Sequence, residues 1–392
     1  MRFTHAALVV ALSMWLLVGP ALAETGVSDK EILVSTLSMV TGPAEFYGRL
    51  TNIGVDCAFN SVNDAGGVYG RRIKCLHPDD KYDADTAITV FNHMLQQGVF
   101  GFVALVGSPT MAKYIPMCQS FKVPAVGAYS APNFTCEPPK RYFFNSRLSY
   151  REEMRRIMEK LWTEARARKI AIIYQNDSFG ADFLESGRQW LSEHGTEFVA
   201  AGSYQRNVNE VKDAVNLVKN ANPDAVVIAA VYKPSAEVLK LSKEIGWHPL
   251  FALSSGSCID AMVGEAGTAG DGYPGADVAP PYSRTDLKGI VNYQQAMAKY
   301  FPSEKPTLVG LKGYIDALIF VEGLKRAGKD LTRENFVTGL ERMRNVDLGL
   351  GKGMELTYSP QDHWGLHKVY WITTKNGSVI PFDSWSKLAL SK

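Results

Sequence analysis

Beyond its first two dozen residues, the 392-residue chain lacks a long hydrophobic run. It also lacks an excess of charge of one sign, since 42 Lys and Arg residues stand against 40 Asp and Glu residues. The first absence excludes a further transmembrane helix, which needs about 20 apolar residues. The second leaves no basic footprint for nucleic acid or for an anionic membrane surface. We therefore expect a soluble mature protein with no nucleic-acid partner.

Catalytic and metal-binding motifs are also missing. The chain has no G-x-S-x-G nucleophile elbow. Its P-loop-like segment 323–330 ends in Asp330, where a nucleotide site needs a Ser or Thr to hold Mg²⁺. His363 and His367 are four residues apart, but the segment around them favours a strand, so we interpret them as structural. We predict no catalytic residue, no cofactor and no metal ligand.

The N-terminus has the three regions of a secretory signal peptide. Arg2 and His5 precede an apolar run at 6–18, and Ala21 and Ala23 provide the small residues of a cleavage site. The apolar run is too short to span a bilayer as an anchor. We therefore predict that residues 1–23 are a signal peptide and that the mature protein is exported.

Five cysteines follow this segment, and none forms a C-x-x-C pair of the kind that binds zinc. In an oxidising compartment pairing is the default expectation. Cys57 and Cys75 lie on a predicted helix and the strand after it, while Cys118 and Cys136 flank a predicted strand. We predict two disulfides, Cys57–Cys75 and Cys118–Cys136, each worth about 3 kcal/mol in the chain-entropy model, and a buried thiol at Cys258.

Apolar strands alternate with amphipathic helices along the mature chain. The run at 99–106 is almost wholly apolar, as is typical of a strand covered by helices on both faces. The alternation begins at about 32 and begins again after Tyr150. This order predicts an α/β fold of two lobes, each built on a doubly wound parallel sheet.

The late segments 288–301 and 310–327 fit best as additions to the first lobe. The predicted N-terminal lobe is 24–147 plus 278–350, and the C-terminal lobe is 148–277 plus 351–392. Three predicted crossings between the lobes form a hinge: 145–149, 273–278 and 345–351.

Several segments together resemble the type I periplasmic solute-binding proteins of the branched-chain amino-acid (Leu/Ile/Val-binding) family, whose members serve ABC importers. They are TGP followed by an aromatic residue and Gly48, then VNDAGGVYGRRI, GSPT, VPAVGAYSAP, IAIIYQNDSFGADF and PDAVVIAAVYKPSAEVLKLSKEIGW. The resemblance implies a monomeric periplasmic receptor that closes on a small ligand and delivers it to an ABC permease with its ATPase subunits.

The resemblance also implies a set of ligand contacts. Ser108 opens a helix after a buried strand, where a helix dipole and free N–H groups favour a carboxylate. Ser108 and Thr110 could equally be plain helix caps. In similar proteins this serine and the loop matched by Tyr129 and Ser130 hold the ligand's α-carboxylate. The aromatic residues that align with the cleft wall are Tyr47, Phe179, Tyr232 and Tyr314, of which Phe179 lacks the hydroxyl of the commoner tyrosine.

The serine-rich loop 254–257 departs from the family pattern. Amino-acid-binding members place a glutamate here for the ligand's ammonium group, whereas this chain offers Ser255 and its neighbours. Burying an ammonium without a carboxylate is costly. We therefore expect an aromatic or aliphatic carboxylate without an amino group, with Ser255 among its contacts, unless Asp260 supplies the missing charge. The alternatives are an amino-acid receptor, a sensory ligand-binding subunit and, third, an exported enzyme.

Overall fold

The structure is a computed structural model that describes residues 24–388. The predicted signal peptide at 1–23 lies outside the described residues. Two sheets organise the described chain, one of five strands and one of seven. We call each sheet with the helices that pack on it a lobe.

The first lobe contains a wholly parallel sheet in the order β2-β1-β3-β4-β5. Its strands are β1 (Glu31–Ser35), β2 (Arg72–Leu76), β3 (Gly101–Leu105), β4 (Ala125–Ala128) and β5 (Phe143–Phe144). Its helices are α1 (Glu45–Asp64), α2 (Ala84–Gln96), α3 (Ser108–Phe121), α9 (Lys288–Tyr300), α10 (Leu308–Ala327) and α11 (Arg333–Glu341). Every residue of β3 is buried, because helices cover both faces of the sheet.

Glycines allow α1 and α10 to pack at close range. A Cβ atom added at Gly54 would lie 1.9 Å from the carbonyl oxygen of Gly310. One added at Gly313 would lie 2.3 Å from that of Thr51. No side chain fits at either point, so glycine spacing brings the late helix α10 onto the first lobe.

The second lobe contains the sheet β12-β11-β10-β9-β8-β6-β7. Its strands are β6 (Ile170–Gln175), β7 (Ala200–Tyr204), β8 (Ala225–Ala229), β9 (Leu250–Leu253), β10 (Gly275–Asp277), β11 (Tyr370–Lys375) and β12 (Ser378–Pro381). Its helices are α4 (Tyr150–Thr163), α5 (Ser178–Glu193), α6 (Lys212–Asn220), α7 (Tyr232–Glu244) and α8 (Ile259–Ala266). The strands from β10 to β7 are parallel, which confirms the predicted fold class.

An antiparallel hairpin extends this second sheet at one edge. Lys375 pairs with Ser378, and Asn376 and Gly377 between them both have positive φ angles, 52° and 76°. This is the conformation that a two-residue hairpin turn requires, and Asn-Gly is its preferred sequence.

The third crossing between the lobes was predicted at 345–351, but in the structure it lies later in the chain. Val346 and Leu356 exchange two backbone hydrogen bonds of 2.9 Å. Leu356, Tyr358 and Leu366 are buried in the core of the first lobe. The chain therefore stays on the first lobe as far as Leu366 and joins the second sheet at Tyr370.

The two predicted disulfides are absent, and all five cysteines lie in the described part of the chain as free thiols. The thiol of Cys57 faces the sulfur of Met297 at 3.5 Å, on the side of α1 that packs against α9, while Cys75 faces the carbonyl oxygen of Leu76 at 3.7 Å. Cys118 is buried under the first sheet, and Cys136 faces the hydroxyl of Thr135. The predicted disulfides are wrong because the two thiols of each pair face different neighbours, although their residues are close in sequence.

Burial keeps these thiols protonated. It raises the pKa of Cys57 to about 12 and that of Cys136 to about 11. Cys258 is fully buried as predicted, and burial raises the pKa of its thiol well above the usual value. A protonated thiol is a poor nucleophile.

Between residues 24 and 388, no helix combines the length and the apolar composition that a membrane crossing requires.

Candidate functional site: a cleft between the lobes

A narrow cleft lies where the carboxyl ends of strands from both sheets meet, and the space around it, including open solvent, is about 330 Å³. Twelve of the described residues line it. The first lobe contributes Met39, Ala44, Tyr47, Tyr82, Val106, Gly107, Tyr129 and Ser130, and the second contributes Tyr150, Phe179, Val231 and Gly256. None of these side chains carries a full charge at neutral pH, so aromatic rings and hydroxyl groups define the chemistry of the cleft.

The N-terminus of α3 forms the polar end of the cleft. Ser108, its first residue, directly follows the lining residue Gly107 and is 1% exposed, and among the described residues its hydroxyl has no hydrogen-bond partner. The backbone N–H of Gly107 donates to the hydroxyl of Ser130 over 3.0 Å. Since a buried polar group without a partner is costly, the free hydroxyl of Ser108 marks a position where a ligand atom would be stabilised.

Tyr150 of the opposite lobe faces these two serines. Burial raises the pKa of its phenol, and the Arg147 guanidinium and the hydroxyls of Ser130 and Ser108 oppose that shift. The Ser108 hydroxyl makes no close hydrogen bond to any described residue, so it can turn toward a ligand. The hydroxyls of Ser108, Ser130 and Tyr150, which we call the hydroxyl cradle, could each donate to one carboxylate beside the positive end of a helix.

Gly107 is required at the start of this cradle. Its φ angle is 105°, a region that side chains rarely adopt. A Cβ atom there would also lie 2.8 Å from the Tyr82 ring and 2.8 Å from the hydroxyl of Thr110. The turn from β3 into α3 therefore depends on glycine.

Aromatic rings form the walls. Tyr47 and Tyr129 meet edge to face with ring centroids 5.1 Å apart, and Tyr150 meets Phe179 in the same way at 5.4 Å. Three of these were predicted, whereas Tyr150 and the further lining residue Tyr82 were missed. Tyr150 directly follows the helix cap Ser149, and Tyr82 precedes the cap Asp83. The sequence signal that could have identified these two residues is an aromatic side chain next to a helix cap at the carboxyl edge of a sheet.

The tyrosine hydroxyls of the wall bind the opposite lobe. Tyr47 donates to the carbonyl oxygen of Gly256 over 2.6 Å and accepts from the N–H of Tyr232 over 2.9 Å. Tyr129 donates to the carbonyl oxygen of Ser255 over 3.0 Å. These bonds hold the two lobes together in a closed arrangement.

Three predicted contacts lie away from the cleft lining. Thr110 donates its hydroxyl to the carbonyl oxygens of Val106 and Gly107, at 3.1 and 3.0 Å, which is an internal helix contact. Tyr314 is buried in the core of the first lobe, with its ring centroid 5.4 Å from that of Tyr293. Tyr232 packs behind Tyr47 with ring centroids 5.6 Å apart.

Ser255, a further predicted contact that is not among the lining residues, belongs to a buried charged network. Its hydroxyl donates to the carboxylate of Glu153 over 2.7 Å and accepts from Arg147 over 2.8 Å. Arg147 also pairs with Glu153 at 2.5 Å and donates to the carbonyl oxygen of Tyr129 at 2.8 Å. The hydrogen-bonding needs of these groups are met within the protein. The Arg147–Glu153 ion pair therefore holds the serine-rich loop in place.

Asp260 does not face the cleft. Its carboxylate accepts the N–H of Leu308 over 2.8 Å and the thiol of Cys258 over 3.1 Å. The suggestion that Asp260 replaces the missing glutamate is therefore not supported by its position. Across residues 24–388, no group of three His, Cys, Asp or Glu side chains is placed to hold a metal ion.

The fold and this inter-lobe cleft define a two-lobed binding protein. A family model described as periplasmic binding protein matches residues 31–378, and the chain belongs to that family. The Leu/Ile/Val-binding protein homolog 7 of Brucella melitensis is 23% identical over 348 residues, which cover 81% of this chain and 82% of the relative.

Solved structures share the same fold. A possible leucine/isoleucine/valine-binding protein from Rhodopirellula baltica superposes with a TM-score of 0.85 at 25% identity, covering 92% of this chain and 98% of the other. The substrate-binding protein of a fatty acid ABC transporter from Thermomonospora curvata gives a TM-score of 0.82 at 21% identity, covering 93% and 95%.

Proposed function

We propose that this protein is the periplasmic receptor of an ABC importer and that its cleft binds a small aromatic or aliphatic carboxylate that has no amino group. The hydroxyl cradle of Ser108, Ser130 and Tyr150 holds the carboxylate at the N-terminus of α3. The apolar remainder of the ligand packs among the rings of Tyr47, Tyr129 and Phe179. The protein performs no chemistry, because binding and closure are its whole function.

The observation that carries this proposal is that a buried Ser108 hydroxyl without a partner lies beside a cleft whose lining contains no carboxylate. The first supports an anionic group on the ligand, since hydrogen bonds to a charged acceptor are the strong ones. The second argues against an ammonium group, because a buried ammonium needs a paired negative charge.

An amino-acid ligand is the second candidate. The names of the Brucella melitensis and Rhodopirellula baltica proteins favour leucine, isoleucine or valine, whereas that of the Thermomonospora curvata protein favours a fatty acid. The fatty acid is a carboxylate without an amino group, as we propose here. The side chains of the cleft therefore decide our choice.

Export and partner follow from the same proposal. The predicted signal peptide at 1–23 would direct the chain to the periplasm. Closure of the two lobes would bury the ligand and present the surface that a permease recognises.

Mass spectrometry of the ligand that co-purifies with the exported protein tests the proposal. The protein is denatured, and the released small molecules are compared with those from an S108A variant purified in parallel. We expect an amino-free carboxylic acid that is depleted in the variant and is recovered unchanged after prolonged incubation with the wild type. Recovery of leucine or valine would overturn the ligand class, and conversion to a product would overturn the assignment as a receptor.

A further inference from the structure

A carboxylate of the second lobe caps a helix of the first. Asp260 lies on α8, and its Oδ2 atom accepts the backbone N–H of Leu308 over 2.8 Å. Leu308 is the first residue of α10, the 20-residue helix that packs across the first sheet. The contact joins residues 48 positions apart that belong to different lobes.

The cap of α10 is divided between the lobes. Thr307, from the same lobe as the helix, accepts the N–H of Gly310 over 3.0 Å through its side chain. Asp260 takes the N–H of Leu308, which an isolated helix would leave without an intrahelical partner. A negative charge here also faces the positive end of the helix dipole. Both of these caps are therefore present only when the lobes are together.

The surroundings of Asp260 favour this contact. The residue is partly exposed, but burial of its carboxyl group raises the pKa, whereas the Leu308 N–H, the Cys258 thiol and the ammonium of Lys312 oppose the shift. Lys312 lies one turn further along α10 and is itself paired with Asp277 at 2.9 Å. The carboxylate is thus held between a helix N-terminus and a nearby cation, both of which belong to the first lobe.

Asp260 is not among the residues that line the cleft. Its bond to Leu308 joins two protein groups and requires nothing in the cleft. The bonds of Tyr47 and Tyr129 also join the lobes, but both of these residues line the cleft.

We propose that Asp260 acts as a latch: through its bond to Leu308, it keeps the two lobes closed in a fraction of the ligand-free molecules. The latch sets the balance between open and closed forms before any ligand binds. Ligand binding then acts on a closed state that is already populated, which lowers the cost of closure.

Small-angle X-ray scattering of the ligand-free protein tests the latch. The protein is unfolded, dialysed and refolded to remove bound ligand, and the wild type is compared with D260A and T307A. Both substitutions remove one cap from the same helix end, but only Asp260 reaches across the lobes. We expect a radius of gyration that is larger in D260A than in the wild type, as the ratio of closed to open molecules falls roughly tenfold. T307A should melt at a lower temperature and keep the radius of gyration of the wild type.

A wild type that scatters as a fully open molecule would overturn the latch, and so would a D260A variant whose scattering matches the wild type. If D260A does not fold, the D260N variant is used instead, and hydrogen exchange at the Leu308 amide is measured. D260N keeps an acceptor oxygen without the charge, and the Leu308 amide should exchange faster in it than in the wild type. Equal exchange would contradict the proposal. Because no ligand is present, these results are independent of the proposed ligand class.

Discussion

The hydroxyl of Tyr47 and the carbonyl oxygen of Gly256 lie 2.6 Å apart across the cleft, one on each lobe. The same hydroxyl accepts the backbone N–H of Tyr232 at 2.9 Å. One phenol therefore forms part of the cleft wall and also fastens the opposite lobe. Tyr47 thus serves both the cleft wall and lobe closure. A ligand that packs against its ring also contacts a residue that holds the lobes together.

Replacing Tyr47 with Phe keeps the ring and removes the bond to Gly256. Two backbone groups then lose their partner in a buried place, which costs about 1 to 3 kcal/mol. We expect ligand affinity to fall about tenfold, with faster dissociation. The matched control is Tyr314→Phe, since Tyr314 was a predicted cleft residue but lies in the core of the first lobe. Binding kinetics of both variants check this, and an equal loss in both would contradict it.

Replacing Ser108 with Ala separates binding from folding. The Ser108 hydroxyl has no protein partner, so its removal should leave the free energy of unfolding unchanged or slightly higher. Loss of a hydrogen bond to a carboxylate should weaken ligand binding about 10-fold to 100-fold. Thr110→Val is the control, because the Thr110 hydroxyl bonds backbone carbonyls. It should cost about 1 kcal/mol of stability with affinity retained. Denaturant melts and titrations distinguish the two patterns.

The Arg147–Glu153 pair should be costly to break on one side only. Its side chains are 4% and 0% exposed, so Glu153→Gln leaves a buried cation without its counter-charge. We expect a loss of about 3 to 5 kcal/mol in the free energy of unfolding. The control lies on the same helix: Arg155 and Glu159 are 60% and 49% exposed, and Glu159→Gln should cost less than about 0.5 kcal/mol. Similar losses from both substitutions in urea denaturation would refute this assignment.

Asp316 should make stability depend on pH. Burial raises the pKa of its carboxyl group from 3.8 to about 7, although Ser146, Arg147 and Lys312 oppose the shift. The folded protein then binds one more proton than the unfolded chain between about pH 4 and pH 7, so stability falls as the pH rises through that range. Asp316→Asn removes this effect. The stability of the variant relative to the wild type should rise with pH, by on the order of 2 to 4 kcal/mol in total. A constant difference between pH 4 and pH 8 would exclude a neutral Asp316.

The sequence predicted most of the fold because the relevant signals are local. The apolar run at 99–106 depends only on neighbouring residues, and it contains the buried strand β3. The third lobe crossing was predicted too early because the Val346–Leu356 pairing joins segments that show no local strand pattern.

The cleft was harder to predict because it depends on which side chains face each other across two lobes. Ser108 and Ser130, which lie after strands β3 and β4, were predicted from the resemblance to the family. Tyr150 could not be placed, since its role depends on the approach of the opposite lobe. Ser255 was assigned to the ligand because the sequence gives no sign that Glu153, 102 residues earlier, takes its hydroxyl.

Thermal stabilisation by matched ligand pairs tests the central claim most directly. Leucine is compared with 4-methylpentanoate, and phenylalanine with 3-phenylpropanoate, since the members of each pair differ only in the amino group. A ligand that binds the folded protein raises its melting temperature, and at equal concentration the tighter ligand raises it more, because the stabilisation grows with the logarithm of concentration over Kd. We predict that the amino-free acid gives the larger shift in a pair, and that S108A reduces this shift. A larger shift with leucine than with 4-methylpentanoate would contradict the account.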